Sequence, residues 1–195
     1  MCSIIRWSYG LVQLFLFYSR TGTLVGSWEV TGLSLTIFQT LQGVEIIHCV
    51  TSIVKTDPIQ TFVQVYSRIM MLWMVLIPFP ETRHSVGFAI ALTAWSIAEI
   101  TRYSFYLLKE IDRVPFALTW ARYTFFIVLY PTGITGELLI LYVVQPFMKS
   151  DPLMTRFDVY LMYLHLIPYL VLFPNLYGHL FKNRKKALQS SKKKK

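Results

Sequence analysis

Cysteine is nearly missing from this 195-residue chain, which has only Cys2 and Cys49. No CxxC or HxxxH spacing surrounds either one, so a disulfide framework, a zinc site and thiol redox chemistry all lack the residues they need. Charge is scarce as well: Asp, Glu, Lys and Arg make up 15% of the sequence, and only 10 residues are acidic. A soluble domain ordinarily carries about 25% charged residues. With 54% hydrophobic residues and a mean hydropathy of +0.48, the chain suits a lipid environment. No cleavable signal pattern opens it, and no polar stretch is long enough for a separate soluble domain. A single transmembrane helical domain is expected over residues 1–181, followed by a basic cytosolic tail over residues 182–195.

The net charge of +9 is a local property. Eight of the 19 basic residues lie in "FKNRKKALQSSKKKK", and taking these eight from +9 leaves +1. A basic face running across a folded domain is absent, which removes the footprint of nucleic-acid binding. A lysine-rich tail beside anionic head groups fits the positive-inside rule and places the C-terminus in the cytosol. Lys192 and Lys193 stand fourth and third from the end, similar to the dilysine signal of endoplasmic reticulum membrane proteins.

Apolar windows fall at residues 33–54, 61–79, 86–108, 116–147 and 157–181, with Ile4 to Tyr18 a short sixth that carries Arg6 and Ser8. The fold expected is all-α: a six-span transmembrane bundle with a short first span and one kinked at Pro131. "KTDPIQ", "PETRHS", "KEIDRVP" and "KSDPLMTR" punctuate the spans. As one straight helix the 116–147 window would extend ~48 Å, well beyond a ~30 Å hydrocarbon layer. Pro131, Gly133 and Gly136 place the expected break within "YPTGITGE". Broken backbone at membrane depth must line a cavity or be enclosed by protein, so the break predicts a cavity.

Glu45, His48, Arg68, Glu99, Arg102, Arg122 and Glu137 all fall within these windows. Each would cost at least ~2.5 to 3.5 kcal/mol at the bilayer centre, so they must face one another or a cavity. In "WSIAEITRYSFY", Trp95, Glu99, Arg102 and Tyr106 share one helical face, with Glu99 and Arg102 able to pair. That pair either locks helix packing or orients a reacting group. His48 reads as a core histidine, and the aromatic residues as packing or interfacial-belt groups. Tyr130 and Glu137 are seven residues apart, which puts them on nearly one face but ~10 Å apart along a helix axis. A phenol and a carboxyl so placed suit proton transfer or elimination on a small group held between them.

"FFIVLYPTGITGELL", with "WARYTFF", "WSIAEITRYSFY" and "LQGVEIIHC", resembles the 3-hydroxyacyl-CoA dehydratase family of very-long-chain fatty acid elongation, also called protein tyrosine phosphatase-like, over about residues 33–186. The resemblance implies a multi-pass endoplasmic reticulum enzyme that converts (3R)-3-hydroxyacyl-CoA to trans-2-enoyl-CoA. It implies Tyr130 and Glu137 as the catalytic pair of a Y-P-x-G-x-x-x-E motif, without settling which is base and which acid. It implies a supporting role for Glu99 and Arg102 and a motif position for Gly133, and on chemical grounds Arg102 or Arg122 is expected to polarise the carbonyl or meet phosphate. No metal or cofactor is implied, because coenzyme A arrives with the substrate. The implied partners are membrane lipid, the elongase condensing enzyme, the ketoacyl reductase and the enoyl reductase. Family members usually carry a longer front segment than this chain.

A phosphatase reading rests on "HCVTSIVKT" and fails chemically. Lys55 stands where a bidentate arginine is needed, glycines that would cradle phosphate are missing, and Cys49 lies in an apolar run. A non-catalytic scaffold of the elongation complex is the alternative from another class, and a small-molecule transporter a third.

Overall fold

The computed structural model describes the backbone of residues 2–50, 58–150 and 173–193, and within them the side chains of residues 4–43, 65–149 and 177–189. These residues form seven α-helices and no strand: α1 (Cys2–Thr21), α2 (Ser27–Val50), α3 (Pro58–Met71), α4 (Val86–Glu110), α5 (Phe116–Thr124), α6 (Phe126–Ser150) and α7 (Phe173–Lys193).

The helix ends follow from local chemistry. Gly22, at φ +68°, closes α1 with its N–H on the Tyr18 carbonyl, and Gly26, at φ +88°, completes the turn into α2. α3 continues as a π-helical turn over Leu72–Leu76 and then meets Pro78 and Pro80. Arg83 satisfies the carbonyls freed there, donating from Nε to Leu76 at 2.7 Å and from Nη2 to Ile77 at 2.6 Å. Its guanidinium also lies 4.7 Å from the Trp28 ring centroid. Ser85 caps α4 by accepting from the Phe88 N–H, and Pro115 leads into α5.

The core is an antiparallel crossing of α4 and α6. A Cβ on Gly136 would lie 2.7 Å from the Ala91 nitrogen, and one on Gly87 would lie 2.7 Å from the Gly136 carbonyl oxygen. Small residues therefore let the two backbones touch, the usual basis of close helix packing in membranes. Phe88, Leu92, Ile140 and Val144 fill the seam, and α1, α2 and the end of α3 pack around it.

The interior mixes an apolar core with buried polar and charged groups. Arg68, Glu99, Arg102, Glu137, Gln39 and Gln42 are buried, while apolar ridges face outward. On α1 the ridge is Ile5, Tyr9, Val12 and Phe15; on α2 it is Val30, Leu33, Ile37 and Leu41; on α6 it includes Val128, Leu138 and Tyr142. Among the described residues one helical stretch, Phe126–Lys149, is long and apolar enough by length and composition to cross a membrane.

The expected break within "YPTGITGE" is not where the chain divides. α6 is helical without interruption from Phe126 to Ser150, and the 116–147 window divides at Phe125 instead. Two physical reasons account for the difference. The glycines keep helical backbone: positive φ occurs among the described glycines only at Gly22 and Gly26, so Gly136 serves close approach to α4 and not a turn. Pro131 removes the N–H that would bond the Ile127 carbonyl, but the Tyr177 hydroxyl donates to that oxygen at 3.0 Å.

Other expected spans shift at their ends. α2 begins at Ser27, well before residue 33, and α1 runs from Cys2 to Thr21, ~30 Å at the helical rise. Arg6 of α1 lies against the Phe38 ring at 5.4 Å. Of the 157–181 window only 173–181 is described; α7 carries it and continues through the basic residues to Lys193.

Candidate active site

The site is built on the facing sides of α4 and α6. Along α6 the residues Phe126, Gly133, Glu137, Ile140, Val144 and Met148 form a buried stripe at helical spacing, and Tyr130 sits on it half-buried. Tyr130 and Glu137 thus share a face two turns apart, as the sequence predicts, and unbroken helix keeps them ~10 Å apart along the axis.

Glu137 is 4% exposed, and the Trp95 indole N–H of α4 donates to its Oε1 at 3.0 Å. Trp95 is itself buried, with the Arg68 guanidinium 5.7 Å from its ring centroid. Arg68 donates from Nη1 to Glu99 Oε1. Glu99 takes Arg102 on its other oxygen, at 3.0 Å from Nε and 2.6 Å from Nη2. Arg102 also donates to the Tyr103 hydroxyl at 3.0 Å. Two arginines and two glutamates are therefore joined through one indole, in a region where isolated charge would be costly.

The expected Glu99–Arg102 pair is present, and it belongs to a larger group. The sequence puts Arg68 among the ionisable residues of the spans without a partner, and it puts Trp95 on the Glu99–Arg102 face while the aromatic residues in general read as packing or interfacial-belt groups. Charge counting would not have found this partner: Glu99 with Arg102 is already neutral, which would leave Arg68 to Glu45 or Glu137, whereas Glu99 takes both arginines. Arg122 of α5 stands apart from this group, 6.0 Å from the Tyr106 ring centroid. Tyr123 meets Phe105 edge-on at 5.8 Å. Gly133 faces α4 without crowding it, since a Cβ there would meet the Ala94 Cβ at 3.8 Å, an ordinary van der Waals contact. Glu45, His48 and Cys49 have helical backbone in α2, but their side chains lie outside the described residues, as does Lys55. Among the described residues, no three His, Cys, Asp or Glu side chains converge on a metal position.

Fold and site define an all-α bundle with an apolar exterior and an interior that carries acid–base groups on one helix face. The family model described as "Protein tyrosine phosphatase-like protein, PTPLA" matches residues 39–190. Very-long-chain (3R)-3-hydroxyacyl-CoA dehydratase 1 of Canis lupus familiaris is 37% identical over 192 residues, covering 93% of this chain and 77% of the relative. Very-long-chain (3R)-3-hydroxyacyl-CoA dehydratase 2 of Homo sapiens is also 37% identical, with 92% and 73% covered. The dehydratase hpo-8 of Caenorhabditis elegans is 34% identical, with 98% and 93% covered. No solved structure matches the chain. The chain belongs to the protein tyrosine phosphatase-like family, whose members it matches are named as very-long-chain 3-hydroxyacyl-CoA dehydratases.

Proposed function

We propose that this chain is a hydro-lyase that dehydrates (3R)-3-hydroxyacyl-CoA to trans-2-enoyl-CoA in very-long-chain fatty acid elongation. One observation carries the reading: a buried carboxylate, Glu137, is held by Trp95 on the same helix face as Tyr130, in a chain related over most of its length to proteins named for that reaction.

The chemistry requires a base to take a proton from the carbon beside the thioester carbonyl and an acid to protonate the departing C3 hydroxyl. The C–H electron pair becomes the new double bond, and the hydroxyl leaves as water. Glu137 and Tyr130 supply these two transfers, one each, with the C2–C3 bond held between them on the α6 face. The net change is loss of water without oxidation or reduction, so a redox cofactor is not required. Arg102 is committed to Glu99 and Tyr103, which makes it a support for the site, while Arg122 is better placed to meet carbonyl or phosphate.

In this reading the bundle crosses the endoplasmic reticulum membrane six times, with α1 the first span and α6 bent at Pro131. The basic tail lies in the cytosol, and coenzyme A stays at the aqueous face because its phosphates resist lipid. The elongase and the two reductases of the cycle supply the substrate and consume the product.

Purified full-length protein in detergent, given a long-chain 3-hydroxyacyl-CoA, is expected to release enoyl-CoA. Glu137→Gln and Tyr130→Phe should each lower turnover by at least ~10²-fold, the usual contribution of a positioned acid or base. Helical content should be unchanged. An unmodified protein that folds and yields no enoyl-CoA would favour the scaffold instead.

A further inference from the structure

Pro131 creates two local problems in α6. It has no N–H for the Ile127 carbonyl, and its ring crowds that carbonyl outward. An orphaned carbonyl inside an apolar bundle costs free energy until a donor arrives. The donor comes from a different part of the chain. Tyr177 of α7, 50 residues away in sequence, donates its hydroxyl to the Ile127 oxygen at 3.0 Å. Its ring is fixed for that task, edge-on to Phe126 at 5.4 Å and to Phe181 at 5.2 Å. Further along α7, Arg184 donates to Thr124 Oγ1 at 3.1 Å, so α7 is fastened on both sides of the α5–α6 joint. Thr132 and Thr135 return their hydroxyls to the Val128 and Pro131 carbonyls, each at 2.8 Å, a pattern that bends helices.

The repaired turn stands next to the proposed chemistry. Ile127 lies three residues before Tyr130, and Pro131 lies between Tyr130 and Glu137. We infer that Tyr177 is a positioning residue: its hydroxyl replaces the backbone donor lost at Pro131 and so fixes the spacing of Tyr130 from Glu137, coupling the docking of α7 to the site. The coupling to turnover rests on the dehydratase reading, whereas the coupling to helix stability does not.

The test is a two-by-two comparison in the full-length protein, Tyr177→Phe in the presence of Pro131 and of Pro131→Ala. Phenylalanine keeps the ring contacts and loses the hydroxyl; the Pro131→Ala change restores the backbone N–H that bonds Ile127. Tyr177→Phe is expected to lower kcat about tenfold with KM within about twofold, the tenfold being what ~1.4 kcal/mol of lost transition-state stabilisation produces. It should lower the thermal unfolding midpoint as well. In the Pro131→Ala background both effects should vanish. Equal losses in the two backgrounds, or no loss beside Pro131, would overturn the inference. If the unmodified protein shows no turnover while the midpoints remain coupled, the dehydratase reading fails and the helix repair stands.

Discussion

An indole N–H is one of the groups that hold Glu137. Trp95 is the donor to Oε1, and it arrives from another helix, 42 residues earlier in sequence. Trp95→Phe keeps most of the buried ring and deletes the N–H, so it should lower kcat by about tenfold, roughly the worth of one hydrogen bond, while KM changes little. If Trp95 acts through Glu137, the same change in a Glu137→Gln background should cost almost nothing further; simple additivity would point to packing. Arg68 offers a second prediction. Arg68→Met removes one of the two cations on Glu99, which is 1% exposed, and should destabilise the protein by ~3 kcal/mol, seen as an earlier thermal midpoint in detergent. The i, i+3 pair of Glu99 with Arg102 was legible because helix geometry alone brings those positions together. Arg68 with Glu99, 31 residues apart, and Trp95 with Glu137 depend on how helices cross, which no local pattern states.

The same division between local and distant causes holds for the elements. Helix ends are readable where Pro or Ser acts on its own backbone, as at Pro80, Ser85 and Pro115, whereas the turn at Gly22 and Gly26 goes unread. The unbroken α6 is not readable either, because the donor that repairs Pro131 sits on α7. The glycines of the motif were legible as special positions, but their use differs. A Cβ at Gly136 would meet the Ala91 nitrogen at 2.7 Å and the Gly87 carbonyl oxygen at 2.9 Å, both backbone atoms that cannot swing aside. Gly136→Ala should therefore force α4 and α6 apart and cost ~1 to 3 kcal/mol, measurable as a lower thermal midpoint. Gly133→Ala meets only ordinary contact with Ala94 and should leave that midpoint nearly unchanged. A fall in turnover in stably folded Gly133→Ala would then report space that the substrate itself needs.

For the whole molecule composition sets the surface: with so few charged residues, burying several ionisable ones leaves apolar side chains to cover much of the outside of the described helices. That arrangement separates a lipid-clad bundle from a soluble one by experiment. Leu138 is 45% exposed and sits at the middle of the Phe126–Lys149 stretch, on the side of α6 turned away from α4. In a soluble protein, replacing an exposed leucine by arginine typically changes stability by no more than ~0.5 kcal/mol. At the centre of a bilayer the same guanidinium costs ~2.5 to 3.5 kcal/mol on insertion scales. Leu138→Arg in lipid nanodiscs should therefore lower the thermal midpoint sharply, while Lys186→Ala on α7 should leave it in place. An unaltered midpoint for Leu138→Arg would mean that this face of α6 meets water, and the membrane orientation built on α6 would have to be abandoned.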